Sequence, residues 1–272
     1  MRGMILRENA TAKEATECLR RMRLRVQSGY TGTMFDAYME LVDELESQLG
    51  NCFEKDSVLQ LLHTDRYWHV YQSGGSGTIV HHRAISQERE VLHSRLERLE
   101  GEFKLLEAWL GSGSLVLIDA NSLMHYQQLD KIPWATELRI PGPVRLVVAL
   151  AVVEELDRKK FEGGDSMRKR AASAIRSLYR LREGVGPDDP AQIAGPNGTK
   201  ATLEIPRDDV GRTRMAGTDE ELIAFGAFLL QAMGATQRVT LVTADMNLHI
   251  RAQRARLATH RLADKFAKDQ PE

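Results

Sequence analysis

Apolar positions along the chain follow two rhythms, and the change comes at a glycine-serine break. From Ala10 to Leu110 the spacing is helical. Ala15, Leu19, Met22 and Val26 recur at steps of three and four, as do Phe35, Tyr38, Val42, Leu45 and Leu49, after which Gly50 and Asn51 supply a stop. Two amphipathic helices follow from that pattern. Farther on, Leu92, Leu96, Leu99, Phe103, Leu106 and Leu110 alternate steps of four and three, which is the seam of a short coiled coil or helical hairpin. Such a seam packs either on the earlier helices or on a second copy, and the sequence leaves both open. Beyond "GSGS" (111–114) the apolar residues run continuously: "LVLI" (115–118), "RLVVAL" (145–150), "TLEI" (202–205) and "VTLV" (239–242), spaced by helical stretches. Continuous β-branched runs between helices predict a parallel sheet covered on both faces, with ligands gathering at the carboxyl ends of the strands. The predicted organisation is an all-α domain over residues 1–110 followed by a Rossmann-like α/β domain over residues 115–272.

The first strand runs straight into Asp119. A buried carboxylate costs several kcal/mol unless it is neutralised, paired or bound to a cation, so Asp119 needs a partner from elsewhere in the chain. The last strand behaves alike: "LVTAD" reaches Asp245, with Asn247 on the way into the next helix. After the second strand, "AVVEELDRKK" places Glu154, Glu155 and Asp157 at the opening of a helix, and "GTDEELIAFGAFLL" offers Thr218 as an N-cap with Asp219, Glu220 and Glu221 in the first turn. Taken singly, acids in a first turn simply offset the helix dipole. Taken together, carboxylates converging at strand ends repel one another and rise in pKa unless a cation holds them. Donors that are all oxygen favour Mg²⁺ or Mn²⁺, and such an ion beside a phosphodiester makes a hydrolytic site.

Charge changes the picture only locally. The 272 residues carry 37 Lys and Arg against 38 Asp and Glu, which by itself predicts neither a nucleic-acid nor a membrane partner. Between residues 158 and 182, however, nine Lys and Arg stand against two acids, Glu162 and Asp165, and Arg251, Arg254, Arg256, Arg261 and Lys265 follow Asp245. These are either solvated helix faces or the sequence-independent charge that binds a phosphate backbone. In "RYWHVYQSGGSGTIVHHR" (66–83), Tyr67, Trp68 and Tyr71 are core contacts or base-stacking groups, while His69, His81 and His82, with His63 just before the stretch, lack the spacing of a zinc site. Cys18 and Cys52 have neither metal-ligand spacing nor the density of a disulfide scaffold, which fits a reducing cytoplasm. No apolar run approaches the roughly 20 residues of a membrane span, so a cytoplasmic protein without a membrane partner is expected.

The ordered set "IDAN", "VVEELD", "TDEEL" and "LVTADMNL" resembles the PIN-domain family of metal-dependent nucleases, particularly those fused to PhoH-like ATPases, over about residues 115–266. The resemblance implies a Rossmann-like sheet with four acids around Mg²⁺ or Mn²⁺, hydrolysing RNA with a metal-activated water to leave a 5′-phosphate and a 3′-hydroxyl. Asp119 matches the acid after the first strand, Glu155 the helix acid, and Asp219 and Asp245 the third and fourth; these are the catalytic and metal-binding candidates. Asn121, Thr218, Thr243 and Asn247 would orient the acids or the substrate. Arg158, Lys159, Arg168, Lys169, Arg170, Arg176 and Arg251 would meet RNA. Glu154, about 100° round the helix from Glu155, faces solvent. Ser122 stands where the family often has an apolar residue, and "TDEEL" lets Glu220 compete with Asp219. The stretches "GVGPDDPAQIAGPNGTK" and "GRTRMAG", the latter with Arg212 and Arg214, match nothing in the family. The phosphate-binding GxxxxGKS or GxxxxGKT of the fused ATPase is absent. The helical half would then serve as an interaction module for a protein partner or a second copy. The alternative is a non-cleaving RNA-binding or scaffold protein. A phosphatase of the haloacid dehalogenase type is disfavoured because Asn121 stands where its second aspartate is needed.

Overall fold

In a computed structural model the chain is described over residues 4–28, 32–74, 79–111, 113–207, 210–234 and 238–268. It divides into two compact units. The first is Met1–Gly111 with Asp209–Thr213 and Gln231–Gly234, and the second is Ser112–Asp208 with Arg214–Leu230 and Ala235–Glu272.

The first unit contains α1 (Ala12–Gln27), α2 (Met34–Leu49), α3 (Lys55–Leu62), α4 (Asp65–Gln72) and α5 (Ile79–Leu110). A capping box opens α1. Thr11 Oγ1 accepts the Glu14 N–H at 3.2 Å while the Glu14 carboxylate accepts the Thr11 N–H at 2.8 Å. The residues that set the helical rhythm, from Ala15 to Val26 in α1 and from Tyr38 to Leu49 in α2, are the buried ones, with Phe35 at the margin. Of the long seam, Leu92, Leu96, Leu99, Phe103 and Leu110 are buried and Leu106 is partly exposed. α1 packs along α5, so the seam is covered within the chain. Tyr67 is buried and stacks on His63 at 4.6 Å, whereas Trp68 and Tyr71 are exposed. Residues 75–78 of the predicted glycine-serine loop, and Ser112 of the break, lie outside the described residues.

The second unit is built on a six-stranded sheet in the order β3-β4-β2-β1-β5-β6 and flanked by helices. In chain order its elements are β1 (Ser114–Ile118), α6 (Ala120–His125), α7 (Trp134–Glu137), β2 (Val144–Val147), α8 (Leu150–Glu162), α9 (Asp165–Leu181), β3 (Ala191–Ala194), β4 (Lys200–Glu204), α10 (Thr218–Met233), β5 (Val239–Val242), α11 (Met246–Arg254) and β6 (Ala258–His260). All neighbours are parallel except β3, which runs antiparallel to β4 at the edge. The core is the continuous apolar runs themselves, buried from Leu115 to Ile118 and at Val144, Leu146, Val147, Leu203, Val239, Leu241 and Val242. Gly113, at φ +79° just before β1, is required there, since a Cβ would come 3.0 Å from the Pro143 carbonyl. α10 approaches β1 closely at Gly226, where a Cβ would meet Leu257 at 2.8 Å and Leu117 at 3.1 Å.

Three features depart from the sequence pattern. The run "RLVVAL" ends as a strand at Val147 and Leu150 already opens α8, so Glu154 and Glu155 lie in the second turn. The dipole explanation for those acids therefore fails, because that effect falls off within the first turn. Second, β3 lies inside "GVGPDDPAQIAGPNGTK" (184–200), where the apolar pattern predicts no strand. Its buried Ala191 and Ile193 alternate with exposed Gln192 and Ala194, as an antiparallel edge strand requires, but two apolar positions are too few to stand out. Third, Arg145 is buried in the middle of the sheet, where its guanidinium grips Glu204 by Nε (2.9 Å) and Nη2 (2.6 Å). No helix among the described residues is long and apolar enough to cross a membrane.

Candidate functional site

Because β1 and β5 are parallel neighbours with Ile118 opposite Val242, the residues that follow them emerge side by side. Asp119 caps α6: its Oδ1 accepts the Ser122 N–H at 2.6 Å, and its Oδ2 accepts the Thr243 hydroxyl at 2.6 Å. The same Thr243 oxygen accepts the Asp245 N–H at 3.0 Å. Thr243 thus ties the acid after β1 to the acid after β5. Asp245 caps α11, accepting the N–H groups of Asn247 (2.7 Å) and Leu248 (3.1 Å) on Oδ1. Asn247 contributes through its backbone and is itself exposed. Ser122 is buried and its hydroxyl donates to the Val242 carbonyl at 3.3 Å, which explains a polar residue at an otherwise apolar position.

The other two acids come from helices. Glu155, on α8, pairs with Lys159 one turn later at 2.6 Å, and Lys159 also donates to Asn121 Oδ1 at 3.1 Å. Asp219 lies in the first turn of α10, half-exposed. Thr218 is the first residue of that helix. Arg251 stands 2.8 Å from Glu220 and 3.9 Å from Asp219. Glu220 therefore turns to Arg251, and Asp219 is the member of "TDEEL" whose charge meets the other acids.

Burial pushes the Asp119 carboxyl above the usual carboxylate range. The charge of Glu155 adds to that, against the lowering effect of the Ser122 and Thr243 hydrogen bonds. Asp219 is raised first by burial, then by the charges of Glu155 and Asp245, with Arg251 opposing. Glu155 acts on both Asp119 and Asp219, and Asp245 acts on Asp219, so the four acids form one electrostatic neighbourhood. Among the described residues, however, no group of three or more His, Cys, Asp or Glu side chains is arranged to hold a metal ion. The protein's own cations are engaged there, Lys159 on Glu155 and Arg251 on Glu220 and Asp219. The donor set still suits a hard divalent ion, because every donor is a carboxylate oxygen and two of the acids are raised in pKa by burial and mutual repulsion.

The basic residues fall into separate groups. Arg168 pairs with Asp165 at 2.6 Å, while Arg158, Lys169 and Arg176 are exposed. Arg170 donates to His125 Nδ1 at 2.6 Å, which requires a lone pair on that nitrogen and puts the ring proton on Nε2. Burial and the charges of Arg170, Lys159 and Lys268 hold His125 below its ordinary pKa. Lys268 donates to the Leu123 and Met124 carbonyls at 3.1 Å each. Among the described residues no carboxylate pairs with Arg170 or Lys268. His125 and Lys268 escaped the sequence reading because neither belongs to a basic run.

Glu154 is exposed and takes the guanidinium of Arg214, with Nη1 at 2.9 Å. Glu221 is fully buried and accepts the Met215 N–H at 2.7 Å, anchoring the "GRTRMAG" segment. Its position beside Leu222 and one turn before Phe225, both buried, was the signal that it faces inward.

The profile of the PIN domain matches residues 116–263, which include Asp119, Glu155, Asp219 and Asp245. The chain belongs to the PIN-domain family. PIN domains are in general nucleases and usually use divalent metal ions. No curated protein matches the chain significantly. The match leaves out residues 1–115, so the PIN assignment does not speak for the helices α1 to α5.

Proposed function

We propose that this PIN domain is a divalent-metal-dependent endoribonuclease that hydrolyses RNA to 5′-phosphate and 3′-hydroxyl ends. The observation that carries the reading is the Thr243 bridge, which joins the acids at the ends of two adjacent parallel strands with Glu155 and Asp219 in electrostatic reach. Asp119, Glu155, Asp219 and Asp245 would hold Mg²⁺ or Mn²⁺, and the ion, when bound, supplies activation of water and charge stabilisation at the phosphoryl group. The chain's own part is positioning. Ser122 N–H and Thr243 fix Asp119, Thr243 sets its spacing from Asp245, and Lys159 is the cation nearest the acids for an incoming phosphate. Arg158, Lys169, Arg170 and Arg176, with His125 and Lys268, would follow the RNA backbone. The helical unit over residues 1–110 would bind a protein partner or a second copy, for which exposed Trp68, Tyr71, Ile79 and Val80 offer apolar surface, and the protein would work in the cytoplasm.

Incubating a mixture of RNA and DNA oligonucleotides with Mn²⁺, with Mg²⁺ and with EDTA tests this. RNA cleavage that EDTA stops and whose products carry 5′-phosphates is the expected result; EDTA-resistant cleavage would overturn it. Tight RNA binding without cleavage would favour the non-cleaving scaffold, a reading to which the engagement of Lys159 and Arg251 with the acids lends support.

Two variants probe the same site. Thr243→Val removes the donor to Asp119 and the acceptor for the Asp245 N–H. It is expected to cost about 1–3 kcal/mol of stability and to slow cleavage about 10–100-fold, while Thr243→Ser retains both. Melting curves and initial rates check the pair. Arg170→Gln is expected to weaken RNA binding regardless of sequence and to reduce the salt slope of log K by about 0.7, measured by fluorescence anisotropy in EDTA.

A further inference from the structure

The helical unit holds two thiols that the proposed hydrolysis does not use. Cys18 lies on the buried face of α1, and Cys52 lies in the turn after α2. The two thiols perturb each other's ionisation, Cys18 downward and Cys52 upward. Their contacts to the backbone cross over. Cys52 Sγ lies 3.8 Å from the carbonyl of Glu14, one turn before Cys18 on α1, and Cys18 Sγ lies 3.4 Å from the carbonyl of Gln48, near the end of α2. Each sulfur is therefore set against the segment that carries the other. A cavity of about 650 Å³ lined by Cys52, Asn51, Glu14, Glu17 and Arg21 reaches Cys52, which is 8% exposed against 1% for Cys18.

We infer that Cys18 and Cys52 are a disulfide-forming site at which a hydroperoxide, entering through this cavity, is reduced and α1 becomes bonded to the turn after α2. The environments divide the labour. Its interaction with Cys52 and the charge of Arg21 hold the Cys18 thiol below its ordinary range against the cost of burial, while the same interaction and burial push the Cys52 thiol up. The Cys18 thiolate attacks hydrogen peroxide. An S–O bond forms, the O–O bond breaks, and the departing hydroxide takes the thiol proton as water. Cys52 then gives up its proton and attacks the Cys18 sulfur; the S–S bond forms, the S–O bond breaks, and hydroxide leaves with that proton as a second water. Two thiols supply the two electrons, and one peroxide becomes two waters.

The test uses the full chain treated with hydrogen peroxide and digested with trypsin without reductant. The expected result is one linked product, the peptide of residues 14–20 joined to that of residues 26–55, lighter by two hydrogen atoms than its parts and separated again by dithiothreitol. The oxidised protein should also melt at a higher temperature, since the bond closes a long loop. In Cys52→Ser the reaction should stop at a sulfenic acid on Cys18, trapped by dimedone. Sulfinic or sulfonic acid at either cysteine without the linked product, a link only between separate molecules, or two unmodified thiols beside oxidised methionines would overturn the inference. None of these readouts depends on RNA cleavage.

Discussion

Asp119→Asn is expected to reduce divalent-dependent RNA cleavage about a thousandfold, because several kcal/mol of charge stabilisation are at stake and each ~1.4 kcal/mol is a factor of ten. The same substitution should raise the melting temperature in EDTA at neutral pH. Burial lifts the folded carboxyl above its unfolded value, so between those two values the folded chain binds more protons than the unfolded one. Stability then falls as pH rises through that window, and the penalty is fully present above the folded pKa. Asparagine carries no charge to desolvate and keeps an oxygen for one of the two donors, Ser122 N–H or Thr243. The gain should therefore appear across the window, hold at higher pH and vanish below the unfolded value. Mn²⁺ should reverse the order by stabilising the wild-type chain and not the variant. Melting curves from acid to neutral pH, with and without Mn²⁺, check this; a variant less stable at neutral pH in EDTA would contradict the assignment of Asp119 as a strained acid.

Glu204→Ala should have the largest effect on folding. Arg145 and Thr202 stand opposite each other in the β2–β4 register, and Glu204, two residues along β4, lies on the same face, where its carboxylate receives the Arg145 fork and the Thr202 hydroxyl. Removing the carboxylate leaves a guanidinium buried in the sheet without its bidentate partner, at a cost of about 3–5 kcal/mol. That is a large part of the roughly 5–15 kcal/mol that holds a typical domain. Hydrogen exchange of the β2 and β4 amides separates this loss from any change in the helical unit. The double replacement Arg145→Met with Glu204→Leu is expected to restore most of the protection, because an apolar pair carries no charge to desolvate.

The sequence by itself determined the two rhythms, the break between them, and the four apolar runs that form β1, β2, β4 and β5. Apolar spacing reports a helix face or a doubly buried strand wherever local periodicity and burial coincide, as at Leu115–Ile118 and Val239–Val242. It also placed Asp119 and Asp245 at one edge, since parallel strands must present the same ends together. The tertiary structure decided the rest. β3 pairs at an edge with too few apolar positions to signal itself, and Arg145 is buried only because Glu204 arrives from a distant strand. Glu220 and Glu154 are taken up by Arg251 and Arg214. Local sequence cannot specify which cation meets which carboxylate, because ion pairs, the Thr243 bridge and the crossed contacts of Cys18 and Cys52 join residues brought together by folding alone.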